Sequence, residues 1–84
     1  MSKKEKALER IRQNPKHVRF EELENILLHL GFIERQSKGS HRTFTLGRHI
    51  ILLPVHKPFL KPIYIKLALR ILDEIDELNE LENE

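Results

Sequence analysis

The 84-residue sequence contains no cysteine, three glycines and four prolines. The absence of cysteine excludes a disulfide framework and any zinc site with thiolate ligands, so a packed apolar core must hold the fold. No apolar run approaches the roughly 20 residues that a membrane-spanning helix needs, and the opening residues MSKKEKALER lack the apolar segment of a signal peptide. We therefore expect one small cytoplasmic domain that makes no membrane contact.

Charge is unevenly distributed, although the formal net charge is only +2. Residues 1–72 hold all 15 lysines and arginines but only 6 of the 13 acids, so this part carries +9. Residues 73–84 hold the other 7 acids and no base, so they carry −7. A body this basic favours a polyanionic partner such as nucleic acid, and the alternative is an ordinary solvated charged surface.

Three segments have the composition and spacing of helices. Residues 3–13 are good helix formers and end before Asn14-Pro15, where proline stops the helix. Residues 20–30 repeat apolar side chains at spacings of three and four, and Gly31 can take the left-handed position after the helix. Pro62 suits the first position of a long final helix that reaches residue 78 or beyond.

Between the second and third helices the pattern is that of strands. The runs 32–37, 42–46 and 49–55 are separated by short turns, which predicts an antiparallel meander with one covered and one wet face. Because residues 50–53 are all apolar, we expect the third strand to be the most buried. The predicted fold class is α+β, with helices packed on one face of a three-stranded antiparallel sheet in the order α-α-β-β-β-α.

The acidic tail permits two interpretations. Its apolar positions 72, 75, 78 and 81 could pack on the first helix, whose lysines would then meet the acids of the tail. Alternatively, the tail continues as a solvated helix with a weak tendency to form a homodimer, and this interpretation is favoured.

Histidine is the acid/base type that the sequence offers near neutral pH. The chain has no nucleophile elbow, no cysteine and no phosphate-binding glycine loop. Among its five histidines His41 stands out, because Lys38, Ser40 and Arg42 place an ammonium, a hydroxyl and a guanidinium group within three positions of the imidazole. Gly39 would let a phosphate approach closely.

A second histidine is expected near His41. Pairing of the second and third strands across the Gly47-Arg48 turn places His41 opposite Pro54, two residues from His56. Imidazole beside fixed cations is what RNA cleavage without a metal requires. The alternatives are an ordinary strand residue at His41 or a zinc site from His41, His49 and His56, which is disfavoured because no acid lies near them and their spacing fits no known motif.

Residues 18–75 resemble the HicA toxins, the small mRNA interferases of bacterial toxin–antitoxin pairs. The resemblance is carried by an ordered set of short motifs: Phe20-Glu21-Glu22-Leu23 with Leu27, Leu30-Gly31-Phe32, Lys38-Gly39-Ser40-His41, Pro54-Val55-His56, and Lys61-Pro62 with Tyr64. It implies a fold similar to a double-stranded-RNA-binding domain, a catalytic histidine at His41 and a HicB-type antitoxin that covers the active surface.

The resulting hypothesis is the toxin of a type II toxin–antitoxin system, an endoribonuclease that cleaves mRNA with a histidine acid/base and without metal or cofactor. The alternative is a non-catalytic RNA-binding module of the same fold. The chain is expected to be a single domain (1–84), with a helical extension (1–17), a HicA-like core (18–75) and an acidic tail (76–84).

Each predicted site residue has a stated role. His41 is the general acid/base. Lys38 and Arg42 are the candidates for contact with the phosphate, and Gly39 and Ser40 shape the approach to it. The predicted RNA-binding set also includes two residues that follow the third strand: His56 and Lys57.

Overall fold

The computed structural model describes residues 3–82, apart from the side chains of residues 4 and 80–82. Its elements in chain order are α1 (Lys3–Gln13), a 3-10 helix (Pro15–His17), α2 (Phe20–His29), β1 (Ile33–Gln36), β2 (His41–Leu46), β3 (His49–Pro54) and α3 (Pro62–Glu82). The predicted order and the α+β class are confirmed, and the short 3-10 helix is an element that the sequence pattern did not indicate.

Helix α2 ends as its sequence predicts. Gly31 has φ of +102°, the left-handed backbone that glycine adopts without a steric cost. Its amide donates to the carbonyl of Leu28 at 3.1 Å, and the amide of Phe32 donates to the carbonyl of Leu27 at 3.0 Å. This pair of hydrogen bonds is the Schellman arrangement, which satisfies the last carbonyls of α2 and turns the chain into β1.

The sheet is an antiparallel meander with the strand order β1-β2-β3. Position 41 of β2 pairs with Pro54 of β3, which confirms the predicted register. The expectation that the third strand is the most buried was wrong. β2 is the central strand and β3 lies at an edge, where Ile50 and Leu52 remain 61% and 47% exposed. A continuous apolar run does not require two covered faces, because the helices cover only one side of the sheet.

The core lies between that covered side and the helices. Phe44 from β2 and Ile51 and Leu53 from β3 have no exposed surface. They belong to one cluster of buried side chains with residues from every α-helix, and the helical members are Ile11, Phe20, Leu23, Ile26, Leu27, Ile65, Ala68 and Leu72. Burial of this cluster is the main source of stability in a chain that has no crosslink.

The C-terminal half of α3 is less exposed to solvent than the favoured interpretation of the tail predicted. Leu72 is buried and Ile75 packs against the core, while Leu78 is 48% exposed. Asp73 accepts two hydrogen bonds from the guanidinium group of Arg12, so an arginine rather than a lysine of α1 meets the acids. Position 81 lies outside the described side chains. Within residues 3–82, no helix combines the length and apolar character needed to cross a membrane.

Candidate active site

His41 is the first residue of β2, and its side chain is exposed. The turn before it is held by the backbone. The amide of His41 donates to the carbonyl of Lys38 at 3.2 Å, and the amide of Ser37 donates to the carbonyl of His41 at 3.0 Å. The imidazole is therefore attached to a backbone with defined geometry while its ring faces solvent.

Gly39 is required by the conformation of this turn. Its φ is +61°, which side chains with a Cβ rarely adopt, and no heavy atom outside its chain neighbours lies within 4 Å of the position that a Cβ would take. The sequence suggested that glycine keeps space free for a phosphate. The backbone conformation gives a more direct reason for glycine here, and the space above the turn is open as well.

The uncovered side of the sheet, which we call the open face, carries His41 and its neighbours. Cross-strand pairs place Pro54 opposite His41, and Arg35 and Leu52 on either side of Thr43. Residues at alternate positions along a strand share a face, so Arg35 lies on the same face as His41. Arg35 is exposed and makes no ion pair within the described part of the chain. It is a candidate that the sequence reasoning missed, and the register of β1 with β2 is what reveals it.

Arg42 follows His41 in sequence but points to the other side of the sheet. It alternates with His41 along β2, and its Nε lies 3.7 Å from the Oε2 of Glu34 on β1. This arrangement ties Arg42 to an acid at the edge of the covered face. Its predicted contact with phosphate stays a prediction.

A carboxyl pair lies beside Arg42. Hydrogen bonding with Glu34, then burial, then the negative charges of Glu34 and Glu21 raise the pKa of Glu24 from 4.5 to about 7, and the positive charge of Arg42 opposes this rise. Glu24 therefore retains its proton to a higher pH than an ordinary glutamate, and it forms a hydrogen bond with Glu34. No sequence pattern indicated this pair, because it joins α2 to β1 through tertiary packing.

The structure brings His56 to the end of the sheet where β2 begins. The amide of Val55 donates to the carbonyl of Ser40 at 2.7 Å, so the chain after β3 continues alongside the turn that precedes His41. Nδ1 of His56 donates to the carbonyl of Phe59 at 2.9 Å, which leaves Nε2 for any other contact. Lys57 follows on the surface.

The other three histidines lie elsewhere. His49 is half-buried at the opposite end of the β2–β3 hairpin, and His29 is exposed on the last turn of α2. Nδ1 of His17, on the 3-10 helix, donates to the side-chain oxygen of Asn14 at 3.1 Å. Among the residues that the structure describes, no group of three or more histidines and acids is placed to hold a metal ion.

A family model for the HicA toxin of bacterial toxin–antitoxin systems matches residues 20–74. The match covers more than half of the chain, from the first residue of α2 into α3, and it includes the sheet, the turn before His41 and the loop of His56. The chain belongs to the HicA toxin family. No curated protein and no solved structure matches it.

Membership in the HicA family identifies the chain as one of the toxins of bacterial toxin–antitoxin pairs, for which RNA is the expected substrate. The HicA region begins two residues later and ends one residue earlier than the resemblance predicted. Helix α1 and the 3-10 helix precede it, and the last turns of α3 follow it.

Proposed function

We propose that this chain is an endoribonuclease toxin that cleaves mRNA with His41 as its acid/base and without a metal. The observation that carries the proposal is the placement of His41. In a chain of the HicA family, an exposed imidazole stands at the start of the central strand, beside a turn that glycine leaves open. Histidine is the side chain best suited to moving protons near neutral pH.

The chemistry follows from the 2′-hydroxyl group of RNA. His41 accepts the proton of this hydroxyl while its oxygen forms a bond to phosphorus. The bond from phosphorus to the 5′ oxygen then breaks, and the proton held by His41 passes to that oxygen. The products are a 2′,3′-cyclic phosphate and a 5′-hydroxyl, and DNA resists cleavage because it lacks the attacking group.

Cations near His41 would stabilise the charge that develops on the phosphate. Lys38 is exposed in the turn, and Arg35 is exposed on the face that carries His41. We assign the phosphate contact to these two residues ahead of Arg42, because Arg42 already lies near Glu34. Gly39 and Ser40 shape the approach to the phosphate.

The loop after β3 would extend the RNA contact. His56 offers Nε2, since its other ring nitrogen is used by the carbonyl of Phe59, and Lys57 offers an exposed ammonium group. The hydrogen bond between Val55 and Ser40 brings the start of this loop, and with it His56, alongside the turn.

A HicB-type antitoxin is the inferred protein partner. Toxins of this class are paired with an antitoxin. The open face, which also carries His41, offers it three exposed apolar side chains, and Leu52 is the nearest of them to His41 in the strand register. Ile33 and Ile50 are 59% and 61% exposed, and Leu52 is 47% exposed. An antitoxin that extended over this face from Ile33 and Ile50 to the start of β2 would also cover His41.

The decisive experiment compares the wild-type chain with His41→Ala on single-stranded RNA and analyses the ends of the products. We expect cleavage by His41→Ala to be slower by a factor of about 10² to 10⁴, which is the usual contribution of general acid–base catalysis. The free energy of unfolding should change by less than about 0.5 kcal/mol, because the side chain is exposed.

His29→Ala is the matched control. This histidine is also exposed, but it lies on α2, on the side of the sheet opposite His41, and the variant should cleave at the wild-type rate. Equal cleavage by wild type and His41→Ala would refute the assignment of His41. If the wild-type chain binds RNA and leaves it intact, the non-catalytic RNA-binding module is the correct interpretation.

A further inference from the structure

We propose that the segment preceding the family-matching region supplies a second contact surface for the RNA backbone. This inference rests on the proposed function, since it takes RNA as the ligand. The surface, which we call the lateral basic surface, combines side chains from the 3-10 helix and its linker with lysines from the loop between β3 and α3: Lys16, His17, Arg19, Lys57 and Lys61. All five are exposed.

Two contacts hold these segments side by side. The amide of Leu60 donates to the carbonyl of Val18 at 2.8 Å, and both of these residues are buried. The rings of His17 and Phe59 meet edge to face, with their centroids 5.3 Å apart. The exposed lysines and arginine of the two segments therefore lie on adjoining stretches of chain.

A groove of about 630 Å³ runs along this surface. Arg19 lines it from the linker before α2, Lys57 and Pro58 line it from the loop after β3, and Asn25 lines it from α2. Glu21 and Glu22 also line the groove. Glu22 lies within ion-pair distance of Arg10, so Glu21 is the acid that would mainly oppose an anionic ligand there.

The lateral basic surface is connected to the proposed catalytic turn. The carbonyl of Ser40 accepts from the amide of Val55, and Nδ1 of His56 donates to the carbonyl of Phe59. Phe59 in turn contacts the ring of His17. An RNA strand whose scissile phosphate lies at His41 would reach His17 by following these contacts.

The lysines and Arg19 of this surface differ in their pairing from other cations of the chain. Arg10, Arg12 and Arg42 lie within ion-pair distance of Glu22, Asp73 and Glu34, respectively. Among the side chains that the structure describes, by contrast, no lysine or arginine of the lateral basic surface lies within ion-pair distance of an acid. Free cations together with an aromatic pair are the elements from which single-stranded RNA sites are built, because phosphates attract the cations and bases stack on rings.

The test uses a fluorescent single-stranded RNA with 2′-O-methyl groups, which binds but cannot be cleaved. We expect the double substitution K16Q/R19Q in the full chain to weaken binding at least fivefold at low salt. The slope of log K against log salt should fall by about 1.4, or about 0.7 for each phosphate that the variant no longer neutralises. Glu21→Gln should strengthen binding.

K66Q/R70Q is the matched control. It removes the same two charges from exposed residues of α3, which line a groove with Asp73, Glu74 and Glu77. The affinity of K66Q/R70Q for the RNA should stay within twofold of the wild-type affinity. Equal weakening in both double variants would show an effect of net charge alone, and an unchanged affinity in K16Q/R19Q would show that RNA does not use this surface. Either result overturns the inference.

Cleavage of unmodified RNA by the wild-type chain is measured in parallel, so the two proposals can fail separately. If RNA is cleaved while K16Q/R19Q binds normally, only the lateral basic surface is rejected. If RNA stays intact while K16Q/R19Q binds weakly, only the nuclease assignment is rejected.

Discussion

The two faces of the sheet carry the same types of apolar residue, but those on one face are buried and those on the other are exposed. Ile51 and Leu53 of β3 are fully buried under the helices, whereas Ile50 and Leu52 of the same strand are 61% and 47% exposed. A strand directs successive side chains to opposite faces, so one position along the chain separates a core residue from a surface residue. Hydrophobicity alone therefore does not tell which of these side chains stabilises the fold.

The same alternation divides the residues of β2 between the core and the proposed catalytic site. Phe44 lies on the covered face and has no exposed surface, while His41 and Thr43 lie on the open face. Stability is expected to depend on the covered face and RNA cleavage on the open face. The following experiments test this division, starting with the largest expected effect.

Leu53→Ala and Leu52→Ala remove the same atoms from adjacent residues on opposite faces. Leu53→Ala should lower the free energy of unfolding by about 2–5 kcal/mol, because it leaves a cavity in the core. Leu52→Ala should change it by about 0.5 kcal/mol or less. Urea denaturation measures both values, and similar midpoints for the two variants would show that the faces are not divided in this way.

Gly39→Ala tests the turn that presents His41 on the open face. Placing a Cβ at φ of +61° should cost about 1–2 kcal/mol of folding free energy. It should also slow RNA cleavage, because the position of His41 depends on the turn. Gly39→Asn should recover most of the stability and the activity, since asparagine tolerates the left-handed conformation. A wild-type melting temperature for Gly39→Ala would contradict the role given to this glycine.

Glu24→Gln tests the polar edge of the covered face through the pH dependence of stability. A carboxyl group with a raised pKa binds its proton more tightly in the folded chain. Its contribution to stability is therefore present below pH 4.5 and is lost as the pH rises through about 7. Glutamine cannot ionise. Between pH 5 and pH 8, the free energy of unfolding of Glu24→Gln should therefore rise relative to that of wild type by up to about 1 kcal/mol, a value reduced because Glu24 is partly exposed to solvent.

Thermal unfolding at the two pH values measures the effect of Glu24→Gln. Glu74→Gln is the control, because Glu74 is exposed on α3 and takes no part in the pair with Glu34. An identical pH dependence in wild type and Glu24→Gln would mean that the pKa of Glu24 is not raised in the folded chain.

Much of the fold could be predicted from local patterns. The Schellman end of α2 follows from Gly31, the start of α3 follows from Pro62, and the pairing of position 41 with Pro54 follows from a two-residue turn. In each case the information lies within a few residues of the feature. The buried third strand was predicted wrongly because its apolar run does not reveal how many of its faces are covered.

The candidate site also shows how far local sequence patterns can predict the structure. His41 and its turn could be selected from the sequence, but grouping it with Arg42 relied on adjacency along the chain. Adjacent strand residues point apart, so the cation that shares the face of His41 is Arg35, from the neighbouring strand. The hydrogen bond between Glu24 and Glu34 also joins residues from different elements of the fold.

The sequence by itself determined the order of helices and strands, the three-stranded meander and the histidine at the start of its second strand. Helix propensity, turn geometry and side-chain alternation act between near neighbours and can be read along the chain. Only the tertiary structure decided which face the helices cover, which strand lies at the edge and which cations gather around His41 and along the lateral basic surface. Those outcomes depend on packing between distant segments, which brings together residues that no local pattern relates.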